Sequence, residues 1–337
     1  MNSREKISAL VKLKGYITGI INDDDHPIYN QVLDQNPWFI KQFIQTAFKG
    51  LTVFLEPDSL ESWIKSYRID INNPKKVALI LPGNVPMVGF HDLLCVLMSG
   101  HDAIVKPSHK DNILIPHLIN KLIEIEPQFQ DKMIVVNSID NIAAVIATGS
   151  DNTARYIEAN YKDIPKLIRK NKTSIAIIQG DETEEDLKRL SDDIFLYFGM
   201  GCRNVSKLYL PDNYDTNRLM LNFHAKQWMG RHQKFLNNYL HQKSFNQVVN
   251  SPFIDGRYFL LKESDKIFSP IGMIYYSYYK NKKWLLQDLL IHQEKIQTVV
   301  TRMSDIKNSI PFGEAQFPQL WNYSDGIDTM QWLLNLG

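Results

Sequence analysis

Cysteine is scarce in this sequence, with only two among 337 residues, Cys95 and Cys202. Two cysteines at unrelated positions form neither a disulfide framework nor a zinc-ligand spacing, and they suit a reducing compartment. The histidines show no metal-ligand spacing either, so no metal site is expected. The net charge is also small, +1 at pH 7, and a chain without a basic excess is not expected to bind nucleic acid.

Long hydrophobic runs are absent as well. Prolines, glycines and polar residues interrupt the most apolar region, residues 77–98, so no stretch is expected to span a bilayer. The N-terminal residues are charged and amphipathic, and they lack the apolar core of a signal peptide. These features predict a cytoplasmic protein.

The usual nucleotide-binding fingerprints are missing too. Neither G-x-G-x-x-G nor G-x-x-x-x-G-K-[ST] occurs, which leaves the common dinucleotide motif and the P-loop without a match. The composition, 44% hydrophobic and 22% charged, is that of an ordinary globular protein. A prior of roughly 150 residues per domain predicts about two domains.

The pattern along the chain predicts an α/β protein. Residues 1–70 have helical periodicity, and from about residue 71 short apolar runs alternate with helical stretches. The predicted strands lie at 77–81, 102–106, 133–136, 143–147 and 173–178, and they indicate a parallel sheet covered on both faces. A second α/β region is predicted over 182–310, followed by a C-terminal segment over 311–337. No flexible linker separates the halves, so the two domains are expected to share a cleft.

Polar segments follow several predicted strands, at the edge where ligands of parallel sheets bind. Asn84 follows the first strand; it is either a turn asparagine or an amide donor to an oxyanion. Lys106 and Ser108 end the second strand and are either solvated or suited to ribose hydroxyls. The segment Thr148-Gly149-Ser150 lies between a strand and a helix, where backbone amides can meet a pyrophosphate.

Cys202 is the candidate nucleophile, because a thiolate can both attack an acyl group and hold it as a thioester. It lies on a glycine-flanked loop, and Arg203 and Lys207 supply positive charge that favours a thiolate. The alternative is that Cys202 is a small buried apolar residue, which is what we predict for Cys95. His232 is expected to be a surface helical histidine, with a functional role as the alternative.

Five segments stand in the order that is typical of the aldehyde dehydrogenase superfamily: Asn84-Val85-Pro86, Lys106-Pro107-Ser108, Thr148-Gly149-Ser150, Gly201-Cys202 and Pro311-Phe312-Gly313. The sequence more closely resembles the LuxC-like acyl-CoA reductases, the fatty-acid reductase branch known from bacterial bioluminescence. That resemblance lies in L-P-G-N-V-P, G-M-G-C-R-N-V-S-K-L-Y-L-P, H-Q-K-F-L-N-N-Y, F-S-P-I-G and D-G-I-D-T-M, which extend over most of the chain. It implies an aldehyde dehydrogenase-like fold, with two α/β domains behind an N-terminal helical segment.

The resemblance also implies roles for the matching residues. Cys202 is expected to be the nucleophile, and Asn84 with the backbone amide of Cys202 is expected to form the oxyanion hole. Residues 71–181 would bind the nicotinamide cofactor and residues 182–310 would carry the catalysis. The cofactor is expected to contact Lys106, Pro107, Ser108, His109, Lys110, Thr148, Gly149 and Ser150. The resemblance further implies a homo-oligomer, an acyl-CoA or acyl-carrier substrate and an acyl-transferring partner enzyme.

Two departures from the superfamily pattern refine the expected reaction. Aldehyde-oxidising members carry a water-activating glutamate, whereas the matching stretch here, residues 167–173, contains no carboxylate. Without that base the thioester is expected to survive, which favours thioester reduction. His109 stands where the family has a ribose-binding glutamate, and with Lys110 it leaves room and charge for a 2′-phosphate, so NADPH is expected, with NADH as the alternative.

The sequence therefore predicts NADPH-dependent reduction of a long-chain acyl thioester to a fatty aldehyde. Two alternatives remain open at this stage. One is an aldehyde dehydrogenase that runs toward the acid, and the other is a non-catalytic acyl-binding protein with the same fold.

Overall fold

The structure is a computed structural model, and it describes residues 1–149 and 151–336. By its internal contacts the chain forms two compact units. The first unit contains residues 1–171 and 318–337, and the second contains residues 172–317.

The first unit begins with four helices, as the sequence predicts: α1 (Ser3–Asn22), α2 (Ile28–Gln35), α3 (Lys41–Phe54) and α4 (Pro57–Lys65). A capping box starts α1, in which the backbone N–H of Glu5 donates to Asn2 Oδ1 and the N–H of Asn2 donates to Glu5 Oε2. The buried side chains of α1, Leu10, Leu13 and Ile17 among them, recur at helical spacing and pack inward.

The first unit also contains a five-stranded parallel sheet: β1 (Lys76–Ile80), β2 (Asp102–Lys106), β3 (Met133–Val135), β4 (Ala144–Thr148) and β5 (Lys166–Arg169). The helices between these strands are α5 (Phe90–Ser99), α6 (Leu114–Ile125) and α7 (Asp151–Asn160). The strand order is β3-β2-β1-β4-β5, so the order reverses between β1 and β4. In open α/β sheets, ligands bind at the carboxyl ends of the strands beside such a reversal.

The second unit is built on a seven-stranded sheet: β6 (Thr173–Ile177), β7 (Val205–Pro211), β8 (Ile254–Asp255), β9 (Leu260–Glu263), β10 (Met273–Tyr279), β11 (Ile296–Val300) and β12 (Ser309–Ile310). Its order is β12-β11-β6-β7-β10-β9-β8, and every pair is parallel except β8–β9. Its helices are α8 (Glu184–Phe195), α9 (Asn217–Phe223), α10 (Gln233–Val248) and α11 (Lys282–His292).

One strand belongs to a different sheet from the one that the sequence pattern indicates. Strand β6 was expected beside the strands of the first sheet, yet it pairs with β7 and β11 in the second. Only residues 170–172 separate β5 from β6. A parallel crossover connection needs about a dozen residues. The three residues between β5 and β6 are therefore too few for β6 to return to the first sheet as a parallel strand.

The C-terminal residues 318–337 belong to the first unit. Their helix, α12 (Thr329–Leu334), packs on α5 with Met330 and Leu333 fully buried. The ring of His101 bridges the two parts of this unit, because its Nδ1 accepts from the Lys75 N–H and its Nε2 lies 3.0 Å from the Leu333 carbonyl.

Several other elements differ from the sequence-based expectation. Four short strands, β5, β8, β9 and β12, were not expected. Helix α9 ends at Phe223, and the chain continues as a 3-10 helix over His224–Arg231. Within the described residues, every helix is too short or too polar to cross a membrane.

Candidate active site

The carboxyl edge of the first sheet gathers the residues that were predicted to hold a cofactor. Ile80 of β1 is in register with Lys106 of β2 and with Ala147 of β4. The segments that follow these three strands therefore leave the sheet side by side. They contain Asn84, residues 107–110 and residues 148–149, so all the described cofactor candidates share this edge with Asn84.

The loops after β1 and β2 pack closely against each other. A Cβ added to Gly83 would lie 2.5 Å from Ser108 Oγ and 2.8 Å from the Cβ atom of Lys110. Only glycine permits this approach, because such contacts are far inside van der Waals distance. Asn84, next to Gly83, has an exposed side chain at this junction.

A buried carboxylate ties the same two loops together. Asp111 Oδ2 accepts from the backbone N–H of Met87 at 3.1 Å, and Asp111 is 5% exposed. Burial raises the pKa of the Asp111 carboxyl to about 6. Met87 has a positive φ of 64°, a strained conformation for a residue with a side chain. The sequence interpretation missed Asp111; the signal for it was an acidic residue three positions after Ser108.

The segment Lys106–Lys110 presents its side chains at this edge while its backbone is anchored to the N-terminal helices. The carbonyl groups of His109 and Lys110 accept from Gln35 and Asn36, at 2.8 and 3.0 Å. The side chains of His109 and Lys110 are exposed, and those of Lys106, Pro107 and Ser108 are half-buried. Ser108 Oγ accepts from the Lys110 N–H at 3.2 Å, which shapes the turn.

Thr148 is the last residue of β4, and Gly149 follows it before the start of α7, where the sequence places this segment. A Cβ on Gly149 would lie 2.8 Å from Thr153 Oγ1, so this turn also requires glycine. Ser150, the remaining cofactor candidate, lies outside the described residues.

Cys202 belongs to the second unit, on a turn directly before β7, and its side chain is exposed. The alternative interpretation, a small buried apolar residue, is therefore wrong for Cys202. It is right for Cys95, which is fully buried in α5, where burial raises the pKa of the thiol well above its usual value.

A strained turn precedes Cys202. Tyr197, Phe198 and Gly199 have φ values of 54°, 55° and 74°, all in the left-handed region. For residues with side chains this conformation costs about 1–2 kcal/mol each. The ring of Phe198 is held by aromatic neighbours, with centroid distances of 4.4 Å to His232 and 5.4 Å to Phe235. Strain that is fixed by packing in this way is typical of functional sites.

Asn204 organises the cysteine turn, and the sequence interpretation missed it. Its Nδ2 group donates to the carbonyl groups of Asp193, Ile194 and Leu196, at 3.1, 3.2 and 2.8 Å. Those carbonyls lie at the end of α8, where intrahelical partners run out. The signal was local, because an asparagine two residues after a candidate nucleophile, directly before a strand, is suited to organising a turn.

The other side of Asn204 holds the cysteine turn itself. Its Oδ1 accepts from the Gly201 N–H at 2.7 Å, and its own N–H donates to the Gly201 carbonyl at 3.0 Å. Ser174 Oγ of β6 donates to the Cys202 carbonyl at 3.1 Å. Helix α8 and strand β6 therefore both fix the backbone that carries the thiol.

Two nearby residues do not lie where the sequence interpretation placed them. His232 is the N-cap of α10, half-buried, with Nδ1 accepting from the Phe235 N–H at 3.3 Å, so it is not a histidine on a helix surface. Lys207 is 1% exposed, and its ammonium group donates to the Ser264 carbonyl. Burial lowers the pKa of Lys207 to about 8, although it was expected to act as a charge beside the thiol.

Among residues 1–149 and 151–336, no group of three or more His, Cys, Asp or Glu side chains could hold a metal ion.

Solved structures of aldehyde dehydrogenases have the same fold as this chain. A putative aldehyde dehydrogenase from Burkholderia cenocepacia superposes with a TM-score of 0.68 at 12% identity, covering 91% of this chain and 76% of the other. A mutant indole-3-acetaldehyde dehydrogenase from P. syringae, in complex with NAD+ and IAA, gives a TM-score of 0.68 at 12% identity, covering 92% and 74%. An oxidoreductase from Marinobacter aquaeolei gives 0.69 at 8% identity, covering 91% and 75%. The predicted aldehyde dehydrogenase-like fold, with parallel-sheet cores and an N-terminal helical segment, is confirmed.

The family follows from the sequence itself. Residues 31–233 match the family model described as acyl-CoA reductase (LuxC), which is more than half of the chain. The chain therefore belongs to the LuxC acyl-CoA reductase family, as its motifs predict, and it is an oxidoreductase. A search of curated proteins found no match to the chain.

Proposed function

We propose that this protein reduces a long-chain acyl thioester, bound to coenzyme A or to an acyl carrier, to a fatty aldehyde with NADPH. One observation carries the proposal: in a LuxC family chain, an exposed cysteine stands on a tightly fixed turn, between a strained left-handed segment and a buried strand. A structural cysteine has no need of exposure or of a costly backbone conformation, whereas a nucleophile must be both accessible and fixed.

The carboxyl edge of the first sheet fits a nicotinamide cofactor. Strand order reverses there, and the absence of a side chain at Gly83 lets the loop after β1 lie directly against Ser108. Lys106, Ser108 and the Thr148–Gly149 turn would hold the ribose and phosphate groups. When bound, a reduced nicotinamide supplies the electron pair and hydrogen that convert an acyl group to an aldehyde.

The preference for NADPH rests on the charge of residues 106–110. The segment contains two lysines, a histidine and no carboxylate, and the side chains of His109 and Lys110 are exposed. A carboxylate at this place would accept from a ribose 2′-hydroxyl and repel a 2′-phosphate, whereas the cationic side chains here attract the phosphate.

The chain's own residues perform the acyl transfer. The Cys202 thiolate attacks the acyl carbonyl carbon, a new C–S bond forms, and the bond to the carrier sulfur breaks as the carrier leaves as a thiolate, which takes up a proton from water. In this scheme the Asn84 amide donates to the oxygen that becomes negative in the transition state. Residues 167–173 contain no carboxylate, so no base at that stretch prepares water to hydrolyse the thioester on Cys202 before it is reduced.

The test is covalent labelling by the substrate. The protein is mixed with a long-chain acyl-CoA without cofactor, and intact mass is measured. We expect the mass to rise by one acyl group in the wild type and in Cys95→Ala, and to stay unchanged in Cys202→Ser. Adding NADPH should remove the acyl group and release aldehyde. A wild type that is never acylated, or a Cys202→Ser variant that is acylated equally, would refute the proposal.

A further inference from the structure

The carboxyl end of α8 connects two distant segments of the second unit. One of them is the cysteine turn, which Asn204 attaches to the last carbonyls of the helix. The other is the segment after β12, which contains Gly313 and Ala315. Their N–H groups donate to the two carboxylate oxygens of Asp193, at 2.6 and 2.9 Å.

Asp193 is part of both attachments. Its carboxylate accepts from residues about 120 positions further along the chain, while its backbone carbonyl accepts from Asn204. Asp193 is 1% exposed and Asn204 is 2% exposed. Buried polar groups of this kind retain their position because any displacement leaves them unsatisfied, at a cost that water does not offset.

The attachment of the segment after β12 to α8 also has a steric requirement, which Gly313 meets. Gly313 has a φ of 87°, and a Cβ at this position would lie 3.0 Å from Arg189 Cβ of α8. The backbone of the segment therefore lies directly on the helix, where only glycine fits without displacement. On the other side of the helix end, the left-handed backbone conformation of Tyr197 and Phe198 sets the path of the chain toward the cysteine turn.

We propose that Asp193 and Asn204 are positioning residues for Cys202, which couple the cysteine turn to the Gly313–Ala315 segment through the end of α8. The proposal rests on the proposed role of Cys202 as the nucleophile. Asn204 fixes the turn, and Asp193 fixes the helix end to which Asn204 is attached. A shift of the segment that contains Gly313 therefore reaches the thiol, and the reactivity of Cys202 depends on contacts that Cys202 does not itself make.

The experiment compares four variants with the wild type. Asp193→Asn removes one of the two acceptors with little change in shape, and Asn204→Ala removes the attachment of the turn. Gly313→Ala displaces the distant segment without altering any residue of the cysteine turn. Asp192→Asn is the matched control, since Asp192 is the adjacent acid of α8 and its side chain is ion-paired with Lys226 instead. All five proteins are compared well below their melting temperatures.

Two quantities are measured for each variant: the single-turnover rate of Cys202 acylation at saturating acyl-CoA, and the pH midpoint of Cys202 alkylation by iodoacetamide. We expect Asp193→Asn, Asn204→Ala and Gly313→Ala each to lower the acylation rate by about 10-fold or more, because displacement of a reacting group is costly. We also expect a higher alkylation midpoint. Combining Asp193→Asn with Asn204→Ala should add little to the larger single effect, because both act through one helix end.

The outcomes separate this inference from the proposed function. If folded Asp193→Asn and Gly313→Ala match Asp192→Asn in both measurements, the coupling is overturned, even if the wild type is acylated normally. If the wild type is not acylated at all, the proposed function fails, while the alkylation midpoints still test the positioning. If Asn204→Ala does not fold, the result for Gly313→Ala decides whether the coupling exists.

Discussion

At the scale of single residues, the loops after β1 and β2 act as one structure. Gly83 lies against Ser108, and Asp111 accepts from Met87 across the two loops. A residue in either loop is therefore held by contacts from the other. Asn84 and His109 lie in these two loops, and each has an exposed side chain. Substituting either residue is therefore expected to remove the functional group of its side chain with little effect on the fold.

The proposed oxyanion role of Asn84 predicts a lower acylation rate with unchanged cofactor affinity. Asn84→Ala should slow acylation of Cys202 by on the order of 100-fold, because a positioned donor contributes roughly 3 kcal/mol to the transition state. The rate is measured by single-turnover intact mass and the affinity for NADPH by titration of fluorescence. Val88→Ala, at an exposed position in the same loop, is the control. An equal loss of NADPH affinity would count against the role.

The proposed position of His109 beside the 2′-phosphate predicts that a carboxylate there changes the cofactor preference. His109→Glu should raise KM for NADPH and lower KM for NADH, because a carboxylate repels the 2′-phosphate and accepts from the 2′-hydroxyl. Steady-state kinetics with both cofactors measure the ratio. Gln130→Glu adds the same charge at another exposed position and should leave the ratio unchanged. A His109→Glu variant with the wild-type ratio would place the 2′-position elsewhere.

At the scale of secondary structure elements, helix α8 contains a carboxyl group with an unusual proton affinity. Burial raises the pKa of Asp193 from 3.8 to about 7, although Gly313 and Ala315 donate to it. The charges that face it are the nearby acids Asp192 and Glu314, and both raise its pKa further. The folded protein therefore binds a proton here at pH values where the unfolded chain has released it.

This difference predicts how stability depends on pH. The contribution of Asp193 to the free energy of unfolding is greatest below about pH 4 and decreases as the pH rises toward 7, because the folded pKa lies above the unfolded value. Asp193→Asn cannot titrate, so the stability advantage of the wild type over this variant should shrink from pH 4.5 to pH 7.5. Urea unfolding of both proteins across that range measures it. An advantage that is constant or grows with pH would contradict the assignment.

The elements that could be predicted from the sequence are those with a strong pattern. β1, β2 and β4 are continuous apolar runs between helices, and their ends could be placed at one edge from the rules of parallel sheets. β5 and β9 are four residues long, of which two are charged, and β8 and β12 have two residues each, so none produces a periodic signal.

The residues of the candidate site also differ in how clearly the sequence alone indicates them. Cys202, Asn84 and the lysine and glycine segments could be found because their local context is distinctive. Asp193 could not, since its partners lie about 120 residues away and no local pattern records them. A weak signal was present: Asp193 lies three residues after Leu190 and beside Ile194, so it falls on the apolar stripe of α8, where an acid needs a partner.

At the scale of the whole molecule, the residues of the second unit lie, along the chain, between two segments that form the first unit. The first unit is completed by residues 318–337, which attach to it through polar contacts. Arg169 of β5 donates to Asp92 at 2.6 Å, to the Ser324 carbonyl at 2.8 Å and to Thr329 Oγ1 at 2.8 Å. The Tyr323 hydroxyl accepts from Trp63 Nε1 at 2.6 Å and lies 2.7 Å from the Tyr67 hydroxyl.

These contacts predict that the C-terminal segment stabilises the first unit. Tyr323→Phe should lower the free energy of unfolding by about 1–3 kcal/mol, because the buried Trp63 loses its acceptor. Chemical denaturation monitored by circular dichroism measures the change. Trp321→Phe alters an exposed ring close by and should have a small effect. If both variants are equally stable, the hydroxyl network contributes nothing.

The insertion has a consequence for how the protein is made. The ribosome releases residues 1–171 long before residues 318–337, so the nascent first unit lacks α12 while the whole of the second unit is being translated. During that interval α5 lacks its packing against α12, and Arg169 lacks its acceptors in Ser324 and Thr329. Exposed apolar surface of this kind is prone to aggregate. The rate of translation through residues 172–317 therefore sets how long this incomplete intermediate must be protected.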